Sequence, residues 1–166
     1  MEEWKKEVAW FLVAIVVVFG IQAGLKVALH TSSPLVIVVS GSMEPVFYRG
    51  DVVLLKGVTN PDQIKVGDVI VYKRPGYEYP IIHRVRYIYT VKIDGKQEKC
   101  FVTWGDNNPV PDPPYPTPDG LLEVQLPDGY VAGCAPAYAV EAKAELVIPK
   151  IGLIPLWIRD AIGLGG

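Results

Sequence analysis

The 166 residues carry 16 basic and 18 acidic side chains, a formal net charge of −2 with both histidines neutral. A nearly balanced chain without a dense basic block argues against nucleic acid as a partner and gives anionic lipid no strong hold. Its two cysteines, Cys100 and Cys134, are too few and too far apart for a zinc cluster, and no phosphate-binding glycine loop appears.

Residues 8–25 are eighteen positions without a charge. As a helix rising ~1.5 Å per residue they reach about 27 Å, close to a ~30 Å hydrocarbon core, so one spanning helix is expected. The competing reading is a removable secretory signal, with Lys5 and Lys6 as its basic start and Ala23, Gly24 and Ala28 near its cleavage site. The apolar length exceeds the ~7–15 residues of a signal core, and Glu2, Glu3 and Glu7 dilute the basic start, which favours a retained anchor. Lys5 and Lys6 face Lys26 across the span, so charge counting does not fix the orientation. Residues 1–30 therefore read as a membrane anchor, and 31–166 as one domain of about 135 residues, enough for its own core.

That domain reads as β structure punctuated by proline and glycine. Short apolar, β-branched runs at 35–39, 51–55 and 68–72 are each bounded by turn formers. Residues 81–91 alternate, with Val85, Tyr87, Tyr89 and Val91 on one face and Arg84, Arg86, Ile88 and Thr90 on the other. Asp94-Gly95 is a hairpin signal before a further strand at 100–104. Residues 139–148 supply another strand or, given their Ala and Glu content, a helix. Six of the ten residues 109–118 are proline, which makes a stiff loop: a surface connector, or a rigid arm holding the acids Asp106, Asp112 and Asp119 in place. A disulfide between Cys100 and Cys134 and a pair of buried thiols are both compatible with the sequence.

Just beyond the first strand lies Ser40-Gly41-Ser42-Met43-Glu44-Pro45, a polar turn with two hydroxyls beside a membrane segment. A serine is a weak nucleophile near neutral pH and needs a base within hydrogen-bond reach, itself oriented by a third group. His30 lies at the membrane exit and His83 opens the long strand. Lys73 would serve a Ser-Lys dyad only if desolvated, and neighbouring Arg74 suggests a solvated turn. His83 is the better candidate. Taken alone, Ser42 reads equally as a turn residue.

The hexapeptide is followed in order by Gly67-Asp68-Val69-Ile70-Val71-Tyr72, Ile82-His83-Arg84-Val85 and Gly105-Asp106-Asn107-Asn108. This ordered set resembles the type I signal peptidases, in the archaeal and endoplasmic-reticulum-type branch where histidine stands in place of the bacterial lysine. The match runs from the anchor to Asp112 and thins beyond it. The resemblance implies a mainly β fold: a single N-terminal transmembrane helix followed by a signal-peptidase-like β-rich catalytic domain.

By the same resemblance Ser42 is the nucleophile, His83 the general base and Asp112, six residues beyond Asp106, the orienting acid. Asp106 is a supporting residue or the alternative third member, because Pro111-Asp112 departs from the paired acids common in the family. Ser40 takes the place of the side-chain oxyanion donor. The implied enzyme is a serine endopeptidase that removes signal peptides after small, Ala-x-Ala-like residues, with no metal or organic cofactor. Its implied partners are secretory preproteins, the lipid bilayer and the secretion translocon. Its place is the cell membrane, single-pass, with the catalytic domain outside the cytoplasm. Many relatives of this branch continue into a second membrane helix, so a chain stopping at Gly166 implies one span or a shortened protein. Two different readings stay open: a related protease dedicated to a narrow set of precursors, and a non-catalytic membrane-anchored β binding module. A self-cleaving LexA-like protease fits less well, since it would use lysine and a DNA-binding domain.

Residues flanking these blocks carry weaker expectations. Val46, Phe47 and Tyr48 touch lipid, line the cleft or pack in the core, and apolar 151–158 grazes the interface or packs as a final segment.

Overall fold

The computed structural model describes residues 2–149 and is mainly β, with one long apolar helix followed by a curled sheet domain. Helix α1 (Glu2–Ala28) contains the whole uncharged run and buries none of its residues. Its most apolar window has a mean hydropathy of 2.4 and is 0% buried, the surface expected of a helix that faces lipid.

The helix ends against the sheet domain. His30 adopts a left-handed φ of 51°, and the Thr31 N–H reaches back to the Lys26 carbonyl at 3.2 Å, closing the last turn. The Gly57 N–H donates to the Leu29 carbonyl at 2.7 Å, and a Cβ on Gly57 would lie 1.9 Å from the His30 carbonyl oxygen. Only glycine permits that approach.

The strands are β1 (Leu35–Ile37), β2 (Val52–Gly57), β3 (Val69–Tyr72), β4 (Ile81–Ile93), β5 (Lys96–Trp104), β6 (Tyr115–Thr117), β7 (Gly120–Gln125), β8 (Val131–Gly133), β9 (Ala135–Pro136) and β10 (Val140–Ile148). Seven form one antiparallel sheet in the order β1-β2-β10-β3-β4-β5-β9, and β6-β7-β8 form a smaller one. Residues 139–148, open to either reading in sequence, contribute a strand because β10 lies between β2 and β3, where Val140 and Ala142 turn into the core. Asp94 and Gly95, at φ 48° and 78°, make the expected tight turn between β4 and β5.

One sequence expectation fails on β4. The register shifts between Val85 and Tyr87, so Val85 packs with Ile70, Tyr72 and Phe101 while Tyr87, Tyr89 and Val91 join a different cluster. A β-bulge reverses the alternation there. Ile88, not Tyr87, shares the side of Val85.

A second core contains Val38, Met43, Phe47, Val53, Leu55, Val69 and Val71. A third surrounds Cys100 and Cys134, which are fully buried and disulfide-bonded with a sequence separation of 34. The apolar stretch 151–158 lies outside the described residues.

Candidate active site

Ser42 owes its position to its neighbours. Met43 and Phe47 are buried in the second core, and Phe47 N–H bonds back to the Met43 carbonyl at 3.0 Å, so the turn is pinned immediately after the serine. Of the three residues with open readings in 46–48, Phe47 is core, whereas Val46 and Tyr48 are exposed.

The Gly105-Asp106-Asn107-Asn108 block holds the other side of this turn. Asn107 donates its backbone N–H to the Ser42 carbonyl at 2.9 Å and its side-chain amide to the Gly41 carbonyl at 3.1 Å. A Cβ on Gly105 would sit 2.2 Å from the same Ser42 oxygen, so this glycine is required by close backbone approach.

His83 comes from the start of β4, paired with Ile70 of β3. Its Nε2 lies 3.1 Å from Ser42 Oγ, and its Nδ1 lies 2.7 Å from Asp112 Oδ2. An ionised carboxylate only accepts hydrogen bonds, so Nδ1 carries the proton and Nε2 presents its lone pair to the serine hydroxyl. Both His83 and Asp112 are buried, whereas Ser42 is half-exposed. Ser40 is exposed, its Oγ 3.3 Å from Ser42 Oγ.

Asp112 is delivered by the proline-rich loop, which is tied down at several points. Its N–H donates to the Thr103 carbonyl, and its carbonyl accepts from Gly133 N–H at 3.0 Å. Arg74 donates to the carbonyls of Pro113 and Pro114 at 2.9 and 2.6 Å, and Tyr115 Oη donates to the Lys73 carbonyl at 2.9 Å. Arg74 is thus a clamp on the loop, while the turn beside it is solvated as its sequence suggests, with Lys73 exposed.

Asp106 is placed differently. Its carboxylate takes a bidentate pair of bonds from Arg84 (2.8 and 2.7 Å) and another from Arg86 (2.8 Å). The Arg84 hydrogen bond, aided by the charges of Arg84, Arg86 and His83, holds its carboxyl below the usual carboxylate range against a burial penalty. The structure therefore brings Asp112, not Asp106, to His83. Lys73 is 72% exposed and paired with Glu141 at 2.7 Å, a contact that raises its pKa and disfavours the neutral amine a Ser-Lys dyad needs. His30 stands at the helix end. No cluster of three or more metal-ligating side chains occurs among the described residues.

Two residues at this site escaped sequence reasoning. Tyr72 Oη and Thr103 Oγ1 both donate to Asp112 Oδ2, at 2.8 and 2.7 Å. In sequence Tyr72 ends an apolar strand within the Gly67–Tyr72 block and Thr103 is a strand residue, and neither position marks a carboxylate partner. Burial, then the charge of Asp112, pushes the Tyr72 hydroxyl far above its ordinary pKa, so it remains a donor.

No protein-family model matches the chain. Among curated proteins it is similar to three fungal proteins named signal peptidase complex catalytic subunit SEC11. The one from Schizophyllum commune is 37% identical, covering 79% of this chain and 75% of the relative. That from Lachancea thermotolerans is 35% identical over 89% and 79%, and that from Komagataella phaffii 36% over 82% and 73%.

Proposed function

The chain belongs to the family of SEC11 signal peptidase catalytic subunits, and from that premise we propose that Ser42, His83 and Asp112 cleave signal peptides from secretory preproteins at a membrane surface. The observation carrying this reading is the bonded relay from Asp112 through His83 to Ser42, at 2.7 and 3.1 Å, in a domain attached to a helix of membrane length.

In the reaction, Ser42 Oγ attacks the scissile carbonyl carbon as its proton passes to His83 Nε2. Asp112 stabilises the resulting imidazolium and keeps the ring oriented. The developing oxyanion is held by the Ser42 N–H and the Ser40 hydroxyl, and losing one such donor typically costs ~2.7–4 kcal/mol of transition-state stabilisation. The imidazolium then protonates the departing amine. Water, deprotonated by the same ring, hydrolyses the acyl-serine, and Ser42 regains its proton. Asp106 supports the site through Arg84 and Arg86 and is not the third member. No step calls on a metal or organic cofactor.

Residues 1–30 form the anchor and 31–166 the peptidase domain. The preprotein lies extended beside the sheet, its small residues before the cleaved bond entering shallow pockets. The peptidase domain faces away from the cytoplasm, and a buried disulfide fits that oxidising side. The three relatives named above are fungal and support the endoplasmic-reticulum side of the branch. The anchor crosses a cell membrane once. Bilayer lipid and the translocon complete the partner set.

The test is preprotein cleavage in detergent or membranes by wild type, Ser42→Ala and His83→Ala. Both variants should fall to background while remaining folded. Full activity of Ser42→Ala would sink the mechanism.

A further inference from the structure

Three strands place donors around one oxygen. The pairs Ile70–His83 and Val85–Thr103 put His83 and Thr103 on the same face of the sheet, and Tyr72 lies two residues beyond Ile70 on that face. All three side chains reach Asp112 Oδ2, at 2.7 Å (His83 Nδ1), 2.8 Å (Tyr72 Oη) and 2.7 Å (Thr103 Oγ1). Tyr72 and Thr103 are each 1% exposed, so these bonds are shielded from bulk solvent. Burying two hydroxyls beside a carboxylate is costly unless they bond, and apolar replacements of the same shape would fill the space without that demand.

We propose that Tyr72 and Thr103 are positioning residues that act through Asp112, sharing its negative charge so that the His83 ring stays the neutral, Nδ1-protonated base near neutral pH. This rests on the assignment of Ser42, His83 and Asp112 above. Each hydroxyl offers Oδ2 a proton without transferring it, so part of the carboxylate's charge is neutralised before the imidazolium forms. Fewer donors leave a more basic His83–Asp112 pair, whichever of its atoms takes the added proton. The pair then becomes protonated, and inactive as a base, at higher pH. Other charged groups facing the site are Asp106, with Arg84 and Arg86 on its carboxylate, and Arg74 on the loop side of Tyr72. None of these donates to Oδ2, so they provide a constant background for the comparison. The raised pKa of Tyr72 agrees with a permanent hydroxyl donor.

The experiment measures kcat and KM against pH for Tyr72→Phe, Thr103→Val and Thr103→Ser in the full chain. Tyr72→Phe and Thr103→Val should each lower kcat about tenfold with KM little changed, and move the acid limb of kcat/KM up by about 0.5–1 pH unit. Thr103→Ser, which keeps the hydroxyl, should follow wild type. A packing role alone would lower thermal stability and leave the limb in place. The same displacement is read without turnover from imidazole NMR signals in a Ser42→Ala background, where the Nδ1 proton reports the bond to Asp112. Unmoved limbs and unmoved imidazole signals in Thr103→Val overturn the proposal, even where Tyr72→Phe fails to fold. Undiminished cleavage by the Ser42→Ala variant would instead overturn the reading on which it rests, while the NMR comparison would still decide the role of the two hydroxyls.

Discussion

Gly105 approaches Ser42 so closely that a methyl group on it would fall 2.2 Å from the serine's carbonyl oxygen. The contact is backbone against a missing side chain, so it cannot be relieved by a rotamer change. Gly105→Ala should push the Ser42 turn away from His83 Nε2, now 3.1 Å from the hydroxyl. A displacement near 1 Å at a reacting atom costs about 10²-fold, and kcat/KM on a preprotein should fall by that order. The melting temperature, measured in parallel, separates a moved nucleophile from an unfolded domain.

The two aspartates should separate by phenotype. Asp112→Asn leaves a group that can hold His83 in the wrong tautomer, and kcat should drop by about 10⁴-fold with little loss of stability. Asp106→Asn removes the charge facing Arg84 and Arg86 and one of the two oxygens that accept from them, and its effect should be chiefly structural. Hydrogen bonds to charged groups contribute ~1.5–3 kcal/mol, which sets the expected loss at neutral pH. Because Arg84 depresses the Asp106 pKa, this contribution is full above the unfolded value of ~3.9 and disappears as pH falls through the lower folded value. Chemical denaturation of wild type and Asp106→Asn across pH 2–7 should show the stability gap closing at the acid end. A gap that widens on acidification would contradict the bonding seen.

The disulfide gives a prediction remote from the chemistry. Cys100 and Cys134 close a loop with a separation of 34 residues, for which the chain-entropy treatment gives about 4 kcal/mol, at the upper end of the usual ~2–4. The double Cys100→Ala, Cys134→Ala variant should melt roughly 10 °C lower. Calorimetry with and without reductant checks this, since reductant should move wild type toward the variant and leave the variant unchanged.

Much of this arrangement was legible in the sequence because it is local. The uncharged run became α1 and the Asp94-Gly95 signal became a hairpin, while the block order offered Ser42 and His83 and left the third place between Asp112 and Asp106. What escaped was long-range. Tyr72 finds Asp112 40 residues away, and nothing in an apolar strand end announces a carboxylate partner. The clamp made by Arg74 has no local mark because its acceptors are backbone carbonyls 39 and 40 residues on. The bulge near Arg86 has no compositional mark, yet it reverses which side chains beyond it face the core. Two cysteines carry no spacing signature, so their bond emerged only from the meeting of β5 with the segment after β8.

The junction between anchor and domain yields the last prediction. The His30 carbonyl lies where a Gly57 methyl would be, 1.9 Å away, and the Gly57 N–H is bonded to Leu29. Strand β1 begins five residues after His30, so the helix end is joined to the sheet both by a short connection and by direct contact. That contact fixes how far the Ser42 turn stands from the helix end, hence from the bilayer surface. Gly57→Ala must part the two segments, because a backbone carbonyl cannot swing aside as a flexible side chain can. A preprotein held in the membrane should then be cut about tenfold more slowly, or at a displaced bond identified by mass spectrometry of the products. A short peptide spanning the cleavage site, free in detergent, should be cut at the wild-type rate, because Ser42, His83 and Asp112 keep their own contacts. Equal loss on both substrates would mean that the substitution disturbs Ser42, His83 and Asp112 themselves. Wild-type behaviour on both would mean that the height of the site is set elsewhere.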